Sequence, residues 1–350
     1  MVSVSEVYVV DDLSRESWNS FLERFPDGNF EQCFEYGEIS RRAFPRSHVV
    51  RFAAMRGDEV LGLVQGTYSR YFGFGMSLGV MRGPVVDLSL SDSVEVAERL
   101  LRALDDYARE RRIIEGRVLV PEEWGFDGVF RSFGYSLVGG LNEYVVNLEG
   151  GIDRVWRSIS HNKRRNIRKA MREGVEVVES RDREDLLKFY SMLRAAERRG
   201  GFSSYPLSWF EAVWSVYRPE LSRVFLARWK GKDIAGVFTV VHGGTVYALA
   251  AGSFSEWWRV RPNDIMHWRV MEWACRKGYS RYYMGLVSDP PPKEGSSAWG
   301  VWRWKREWRG RLLRFRVFRK VFKPKCRFIL GAKNLVQSCY LRFKSFLSLM

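Results

Sequence analysis

Hydrophobic and polar positions along the chain predict two successive units of the same kind. In the first, a strand at Val7 precedes a helix capped by Ser14, a second helix, hairpin-linked strands, a long helix capped by Ser91 or Ser93, and another strand. After residue 150 the same order of helices, antiparallel strands, helix and strand returns. We therefore predict an α/β (α+β) protein that contains two copies of one fold.

The predicted domains cover residues 1–150 and 151–315. Basic and apolar residues interleave without a strand period in the C-terminal segment that begins "RLLRFRVFRK" at Arg311, and Pro324 divides this segment. The pattern predicts one or two helices with a basic face, with residues 316–350 either packing back on the first domain or lying on an anionic membrane surface. No stretch approaches the roughly 20 apolar residues of a spanning helix, and we expect a cytoplasmic protein, with peripheral contact at the inner face of the membrane as an option.

Charge is distributed unevenly. The chain carries a formal net charge of +16, of which the segment from Arg303 to Met350 supplies +14 and the segment from Ser160 to Arg172 supplies +6. The remaining residues sum to −4, so a mildly acidic body carries two basic segments. This distribution favours anionic partners such as RNA, nucleotide phosphates or an anionic membrane surface.

Cysteine and histidine spacing predicts neither a metal site nor a disulfide framework, because the four residues of each type show no CxxC or HExxH pattern. The glycine pattern "RYFGFG" at 70–75 matches the literal R-x-x-G-x-G of acyl-CoA-binding acetyltransferases. Strand-like residues follow it, whereas a pyrophosphate cradle needs a helix N-terminus at that point. A loop between strands is therefore favoured over a cofactor site, and no tightly bound cofactor is expected.

The segment "HNKRRNIRKAMREG", residues 161–174, forms two basic stripes when it is plotted as a helix. Like charges four residues apart cost about 0.2–0.5 kcal/mol per pair, and a bound polyanion would reverse the sign of that cost. A solvated helix face is the alternative. The residues that we predict to contact RNA or phosphate are Lys163, Arg164, Arg165, Arg168 and Lys169.

The same segment, continued to "VEVVES", resembles the "lskkvRrnirkAekkGvevr" segment of the FemABX family, the aminoacyl-tRNA-dependent peptidyltransferases of peptidoglycan bridge formation. Further similarities follow in the family's order: "FEQCFEYGEI", "RGPVV", "AAERRGGFSSYPLSWFEAV", "YALAAGSFSEWWRVRPNDIMHWRVMEWACRKGY" and "WGVWRWKREWRG". The resemblance covers nearly the whole chain. It implies two tandem GNAT-like acyltransferase domains, with a basic C-terminal helix returning to the first.

The resemblance also implies functional residues. The family's Phe-Lys pair, which serves aminoacyl transfer, corresponds to Trp304 and Lys305. Arg199 corresponds to the arginine expected to contact the phosphates of the sugar-nucleotide precursor, although a cation that ends a helix is an equal alternative. We expect further contacts to the substrate from Arg41, Tyr205 and Arg303.

The sequence departs from the family pattern in three motifs, and we interpret these departures as changes on the acceptor side. Ser40 occupies the position of a family lysine, which leaves Arg41 and Arg42 as substitutes, and Tyr283 replaces an acid in the strand "YYMGL". The family's "FgG" becomes Trp308, Arg309 and Gly310. These departures allow an acceptor that differs from a standard peptidoglycan precursor.

The expected function is amide formation between an amino acid carried by tRNA and an amine of a nucleotide- or lipid-linked envelope precursor. Two alternatives stay open at the level of sequence. One is an N-acyltransferase of GNAT type that uses acyl-CoA in envelope polysaccharide or lipid metabolism. The other is a non-catalytic protein that binds RNA or a membrane surface. The sequence gives neither the amino acid nor the oligomeric state.

Overall fold

The structure is a computed structural model that describes residues 6–25, 30–70, 76–180, 182–217 and 219–323. These residues divide into two compact units. The first unit contains residues 6–141, 208–217 and 314–323, and the second contains residues 142–207 and 219–313. Most of the glycine pattern (71–75) and the tail from Pro324 lie outside the described residues.

The secondary structure alternates helices and strands along the chain. The first elements are β1 (Tyr8–Val10), α1 (Arg15–Glu23), α2 (Phe34–Ala43), β2 (Ser47–Arg56), β3 (Glu59–Arg70), β4 (Met76–Met81), β5 (Val85–Val86), α3 (Ser93–Glu110), β6 (Ile113–Pro121), α4 (Asp127–Ser132) and β7 (Ser136–Asn147). The following elements are α5 (Gly151–Ser158), α6 (His161–Arg172), β8 (Glu176–Ser180), α7 (Arg183–Gly200), α8 (Leu207–Val216), β9 (Ser222–Trp229), β10 (Lys232–His242), β11 (Thr245–Ser253), α9 (Pro262–Arg276), β12 (Arg281–Asp289), α10 (Ser297–Arg306) and β13 (Arg311–Val321). Short 3-10 helices cover Phe30–Gln32, Glu122–Trp124, Pro219–Leu221 and Ser255–Val260.

The sheet of the first unit begins as an antiparallel meander. Strand β2 pairs with β1 and β3, and β3 pairs with β4. Helix α3 then crosses over to β6, which runs parallel to β4, as a parallel connection requires. The apolar face of α3, including Leu100 and Leu104, packs into the core below these strands.

The second unit repeats this order. Strands β8, β9, β10 and β11 pair antiparallel in sequence order, and β12 runs parallel to β11 with Tyr283 opposite Tyr247. Helix α9 supplies the crossover and buries nearly its whole length, including Ile265 and Met266. On its other side β12 neighbours β7. Both units therefore consist of a meander, a crossover helix and a parallel strand, as the pattern of the sequence predicts.

One of the two predicted helix caps is confirmed, the cap at Ser14. Ser14 accepts a hydrogen bond from the Ser17 amide and Ser160 accepts one from the Lys163 amide, both at 3.1 Å, so each serine caps its helix. The cap predicted at Ser91 or Ser93 is wrong, because Asp92 occupies the N-cap of α3.

The helix predicted from Arg311 is also wrong for the described part of the segment, because residues 311–321 form β13. Phe315–Val321 pairs antiparallel with β6. Its cations find carboxylates that are distant in sequence: Arg316 binds Glu122 (2.7 Å), and Arg319 binds Glu115 (2.9 Å). Local periodicity does not predict these ion pairs, because their partners are distant in sequence. Within the described residues, no helix has the length and apolar character needed to cross a bilayer.

Candidate active site

Helix α10 carries Lys305 to strand β12. The helix begins at Ser296, whose side chain caps it by accepting from the Trp299 amide (3.2 Å). Near its end, Nζ of Lys305 donates to the carbonyl oxygens of Gly285 (2.7 Å) and Leu286 (3.3 Å). Gly285 has φ +79°, and a Cβ at this position would lie 3.4 Å from Nζ of Lys305. The positive φ therefore favours glycine, and the lysine packs against this residue in ordinary van der Waals contact.

Glu143 binds the same residue, Gly285, from the β7 side. Its side chain is 1% exposed, and Oε1 accepts from the Gly285 amide at 2.7 Å. The Gly285 amide and carbonyl are therefore bound by a buried carboxylate and by the lysine, respectively. Glu143 and Lys305 also attract each other electrostatically. This fixes the direction in which the lysine ammonium group points.

The ammonium group of Lys305 is enclosed although the residue as a whole is partly exposed. Burial lowers the pKa of Lys305 to about 8, and the carboxylate of Glu143 opposes the shift. A protonated lysine has three N–H donors, of which the two carbonyls use two. Among the described residues no third acceptor binds this group, so its charged form, which dominates below pH 8, retains one N–H donor for a further oxygen.

Trp304, the neighbour of Lys305, is fixed by a carboxylate. Its Nε1 donates to Oδ1 of Asp264 at 2.9 Å, and its ring lies 4.9 Å from the ring of His267, measured between centroids. Nδ1 of His267 lies 2.6 Å from the Tyr282 hydroxyl. Burial, together with the nearby cations Lys305 and Lys163, lowers the pKa of His267 to about 3. The imidazole is therefore neutral near pH 7 and adds no charge to the site.

Lys163 differs from the role predicted for it. Its side chain is fully buried, with Nζ 2.6 Å from Asp264 Oδ1 and 3.8 Å from Glu307 Oε2. The ammonium group also lies 4.1 Å from the centroid of the Trp304 ring. Burial lowers the pKa of Lys163, and Asp264 opposes this. A phosphate contact does not fit Lys163, because the ion pair holds its charge away from the surface.

The other four predicted phosphate contacts have different surroundings. Arg164 binds the carbonyl oxygens of Trp156 (3.1 Å), Arg157 (3.2 Å) and Ile159 (3.1 Å), and so caps the end of α5. Three residues of α6 keep their side chains at least partly at the surface: Arg165, Arg168 and Lys169. Phosphate contact by these three stays a prediction.

Arg199 lies at the end of α7 and is held in a defined orientation. Its Nη1 donates to the Ser253 carbonyl (3.2 Å), and its guanidinium carbon lies 4.5 Å from the centroid of the Trp258 ring. Trp258 in turn donates to Ser253 Oγ (2.9 Å). Tyr205, in the following connection, is 38% exposed. Arg199 therefore combines a fixed orientation with an exposed surface, which suits an anionic ligand.

Arg303 and Arg41 are both exposed. Arg303 lies two residues before Lys305 on α10, with its guanidinium 4.6 Å from the centroid of Trp299. Arg41 lies on α2 in the first unit and pairs with Glu38 at 3.3 Å. Tyr283, which replaces the acid of the family strand, is fully buried against Tyr247.

The geometry adds residues that the sequence did not indicate, namely Glu143, Asp264 and His267. Each is buried and contacts a partner distant in sequence, so no local spacing marks it. The sequence did offer one sign of this arrangement, because Gly285 in "YYMGL" matches a glycine of the family strand. Among the described residues, no group of three side chains is arranged to hold a metal ion.

Comparisons with known proteins agree with the repeated fold. Residues 157–314 match the family described as Acetyltransferase (GNAT) domain. The chain is 21% identical over 381 residues to the lipid II:glycine glycyltransferase of Staphylococcus aureus, covering 85% of this chain and 88% of that protein. The structure of FemX matches with a TM-score of 0.73 at 18% identity, covering 89% of this chain and 96% of FemX.

A further solved structure is of a protein with two GNAT units in tandem. A tandem GNAT protein from the clavulanic acid biosynthesis pathway matches with a TM-score of 0.60 at 11% identity, covering 91% of this chain and 99% of that one. At these identities the solved structures establish the fold. The fold is therefore that of two tandem GNAT-like units.

Proposed function

We propose that the chain, an acyltransferase with the GNAT fold, is of the FemABX type and transfers an amino acid from aminoacyl-tRNA to an amine of a lipid-linked peptidoglycan precursor. Glycine is the first amino acid to test, because the relative from S. aureus is named for glycine and lipid II. The observation that carries the proposal is the enclosed ammonium group of Lys305, which retains a free donor.

The reaction joins an ester and an amine. The neutral amine nitrogen of the acceptor attacks the carbonyl carbon of the aminoacyl ester, which forms a C–N bond and places negative charge on the carbonyl oxygen. The C–O bond to the ribose then breaks as the amide forms. The proton lost by the attacking nitrogen balances the proton gained by the ribose oxygen, so the products are an amide and an alcohol.

Lys305 is suited to stabilise the negative charge of this reaction. Two of its N–H groups donate to the carbonyls of Gly285 and Leu286, and the third is available to an oxygen of the aminoacyl ester. A charged donor in enclosed surroundings stabilises an oxyanion more strongly than the same group in water, and it needs no reorganisation during the reaction. We assign Trp304, which Asp264 fixes, to the same site as the partner of Lys305.

Arginine side chains support a phosphate-bearing acceptor. Arg199 is oriented by Ser253 and Trp258 and keeps an exposed surface. We assign Tyr205 and Arg303, which lie in the same unit, to this substrate as secondary contacts. A contact from Arg41 of the first unit stays a prediction. Guanidinium groups bind phosphate oxygens in pairs, which gives orientation as well as affinity.

The donor is assigned to tRNA on the basis of the basic surface of α6. Positive charge lies at the surface on Arg165, Arg168 and Lys169. Binding of tRNA by these side chains does not require a glycine loop. We place the reaction in the cytoplasm, where charged tRNA is present. An acyl-CoA donor is the competing assignment, and it has the GNAT domain in its favour.

The decisive experiment offers the purified chain both donors. Labelled glycyl-tRNA or labelled acetyl-CoA is supplied with lipid II, and the product is identified by mass spectrometry. We expect an increase corresponding to one glycine with the tRNA donor only. Transfer from acetyl-CoA in the absence of RNA would overturn the tRNA assignment. In parallel, Arg165→Ala with Arg168→Ala should weaken RNA affinity and reduce the slope of log K against log salt by roughly 1.4, since each single-strand phosphate contact contributes about 0.7.

A further inference from the structure

Lysines, an arginine and tryptophans form a surface at one hairpin of the second unit, which we call the hairpin patch. It consists of Trp229, Lys230, Lys232, Trp257 and Arg259. Trp229 ends β9, Lys232 begins β10, and Lys230 lies in the turn between these strands. Trp257 and Arg259 belong to the 3-10 helix Ser255–Val260. Phe254 anchors that helix to the hairpin, because its amide donates to the Ile234 carbonyl (3.1 Å).

The cations of the hairpin patch lie on its tryptophan rings. Nζ of Lys230 lies 4.7 Å and the guanidinium carbon of Arg259 4.9 Å from the centroid of Trp229. The Trp229 and Trp257 rings are 5.3 Å apart, and Nζ of Lys232 lies 5.5 Å from Trp257. All three cationic residues are exposed. The rings therefore orient the cations outward without neutralising them.

Within the described part of the chain, these three cations form no ion pair with a carboxylate. Asp233, next to Lys232, is paired with Arg228 at 2.9 Å and with Lys188 at 3.9 Å. Glu256 is the one acid in the adjoining 3-10 helix. The hairpin patch therefore presents a net positive charge next to indole rings.

We propose that the hairpin patch binds the surface of a bilayer that contains anionic phospholipids. Lysine and arginine bind anionic headgroups, which suits the exposed Lys230, Lys232 and Arg259. Tryptophan is enriched at the depth of the headgroups, which suits the partly exposed Trp257, whereas the buried Trp229 supports the cations from below. The contact would hold the enzyme at a lipid-linked acceptor. This last step rests on the proposed function, whereas binding to the bilayer does not.

A bilayer fits the hairpin patch better than RNA does. Stacking of a nucleobase needs a free ring face. Trp229 is 6% exposed and carries two cations over its ring, so this ring offers no such face. Trp258 follows Trp257 in the chain and stacks with Arg199, the predicted contact to the acceptor phosphate. The membrane contact and the acceptor contact therefore lie close together in the second unit.

The test is flotation of the full chain with vesicles of phosphatidylglycerol and phosphatidylcholine, compared with vesicles of phosphatidylcholine alone. We expect binding to the anionic vesicles that weakens with salt. Lys230→Glu with Lys232→Glu should lower the partition coefficient about tenfold or more, because each cation near an anionic surface contributes several-fold to binding.

Two double variants serve as controls with the same change of charge. Arg276→Glu with Lys277→Glu alters two exposed cations at the end of α9 and should leave vesicle binding within about twofold. Lys325→Glu with Arg327→Glu alters the basic tail, so a loss confined to this variant would overturn the proposal in favour of the tail. Loss of RNA affinity in Lys230→Glu with Lys232→Glu, with vesicle binding unchanged, would also overturn it. Because flotation needs no catalysis, its outcome is independent of the transfer assay.

Discussion

Lys163 and Asp264 form a buried ion pair, with Nζ 2.6 Å from Oδ1 and side-chain exposures of 0% and 6%. The same oxygen of Asp264 accepts from Trp304 at 2.9 Å. A lysine in the most basic helix of the chain therefore helps to hold the helix that carries the candidate catalytic residues. This assigns to one member of "HNKRRNIRKAMREG" a structural role that its charge alone did not suggest.

We predict that Lys163→Met lowers the free energy of unfolding by about 3–5 kcal/mol, because it leaves the Asp264 carboxylate buried without its partner. Denaturation by guanidinium chloride measures the change. Arg168→Met, at an exposed position on the same helix, should stay within about 0.5 kcal/mol. If the variant is too unstable to purify, Lys163→Met with Asp264→Leu should recover part of the loss. Strict additivity of the two changes would contradict the pairing.

Lys305→Ala should reduce the rate of transfer about 10²–10³-fold, the usual effect of removing one donor that stabilises an oxyanion. Affinity for charged tRNA should change little, because the lysine is enclosed. Single-turnover kinetics and filter binding measure the two quantities separately. Arg306→Ala, which removes the adjacent exposed cation, is the control and should retain activity. An equal loss in both variants would argue against the assigned role of Lys305.

The pH profile tests whether the charged form of Lys305 is the active one. Its pKa is lowered by burial to about 8, so transfer should fall as the pH rises through 8. The contribution of Lys305 to the free energy of unfolding should instead increase as the pH rises. The unfolded chain, in which lysine has a pKa of about 10.4, binds more protons than the folded chain between pH 8 and that value, so this group makes folding more favourable as the pH rises. Loss of activity without loss of thermal stability is the expected pair of results.

Glu143→Gln should move the alkaline limb of the activity profile to lower pH. The carboxylate of Glu143 raises the pKa of Lys305 against the larger effect of burial, and an amide of the same shape removes this attraction. The hydrogen bond from the Gly285 amide can still be accepted by the amide oxygen. Glu149→Gln, at an exposed position after the same strand, should leave the profile where it is. A Glu143→Gln variant that loses rate without any shift of the profile would indicate a purely structural role.

The sequence predicted the two repeated units because their order of elements depends on local periodicity. The same logic identified the cap at Ser14 and the position of α6 before β8. It failed at Arg311–Val321, where strand formation depends on pairing with β6 and on carboxylates such as Glu115 far along the chain. Resemblance located Trp304 and Lys305, which periodicity alone would have left as members of a basic tail.

The surroundings of Lys305 could not be predicted from sequence. Glu143 and Gly285 meet because two strands separated by more than 100 residues become neighbours. Charge patterning likewise treated the five predicted phosphate contacts of α6 as equivalent. The fold separates them, since Lys163 is buried, Arg164 caps α5, and the other three remain at the surface.

Arg199 offers the clearest test of the acceptor side. Arg199→Ala should raise KM for a phosphate-bearing acceptor about tenfold or more, because a charge-assisted hydrogen bond contributes about 1.5–3 kcal/mol. Because the guanidinium lies over the Trp258 ring and donates to the Ser253 carbonyl, Arg199→Lys should not restore the affinity for the acceptor. Arg198→Ala, at the preceding exposed position, is the matched control. Steady-state kinetics with a lipid-linked acceptor, and with an amine that lacks phosphate, separates the possibilities. A KM that rises equally for both acceptors would show that Arg199 supports the fold of this region, whereas a rise confined to the phosphate-bearing acceptor supports direct contact.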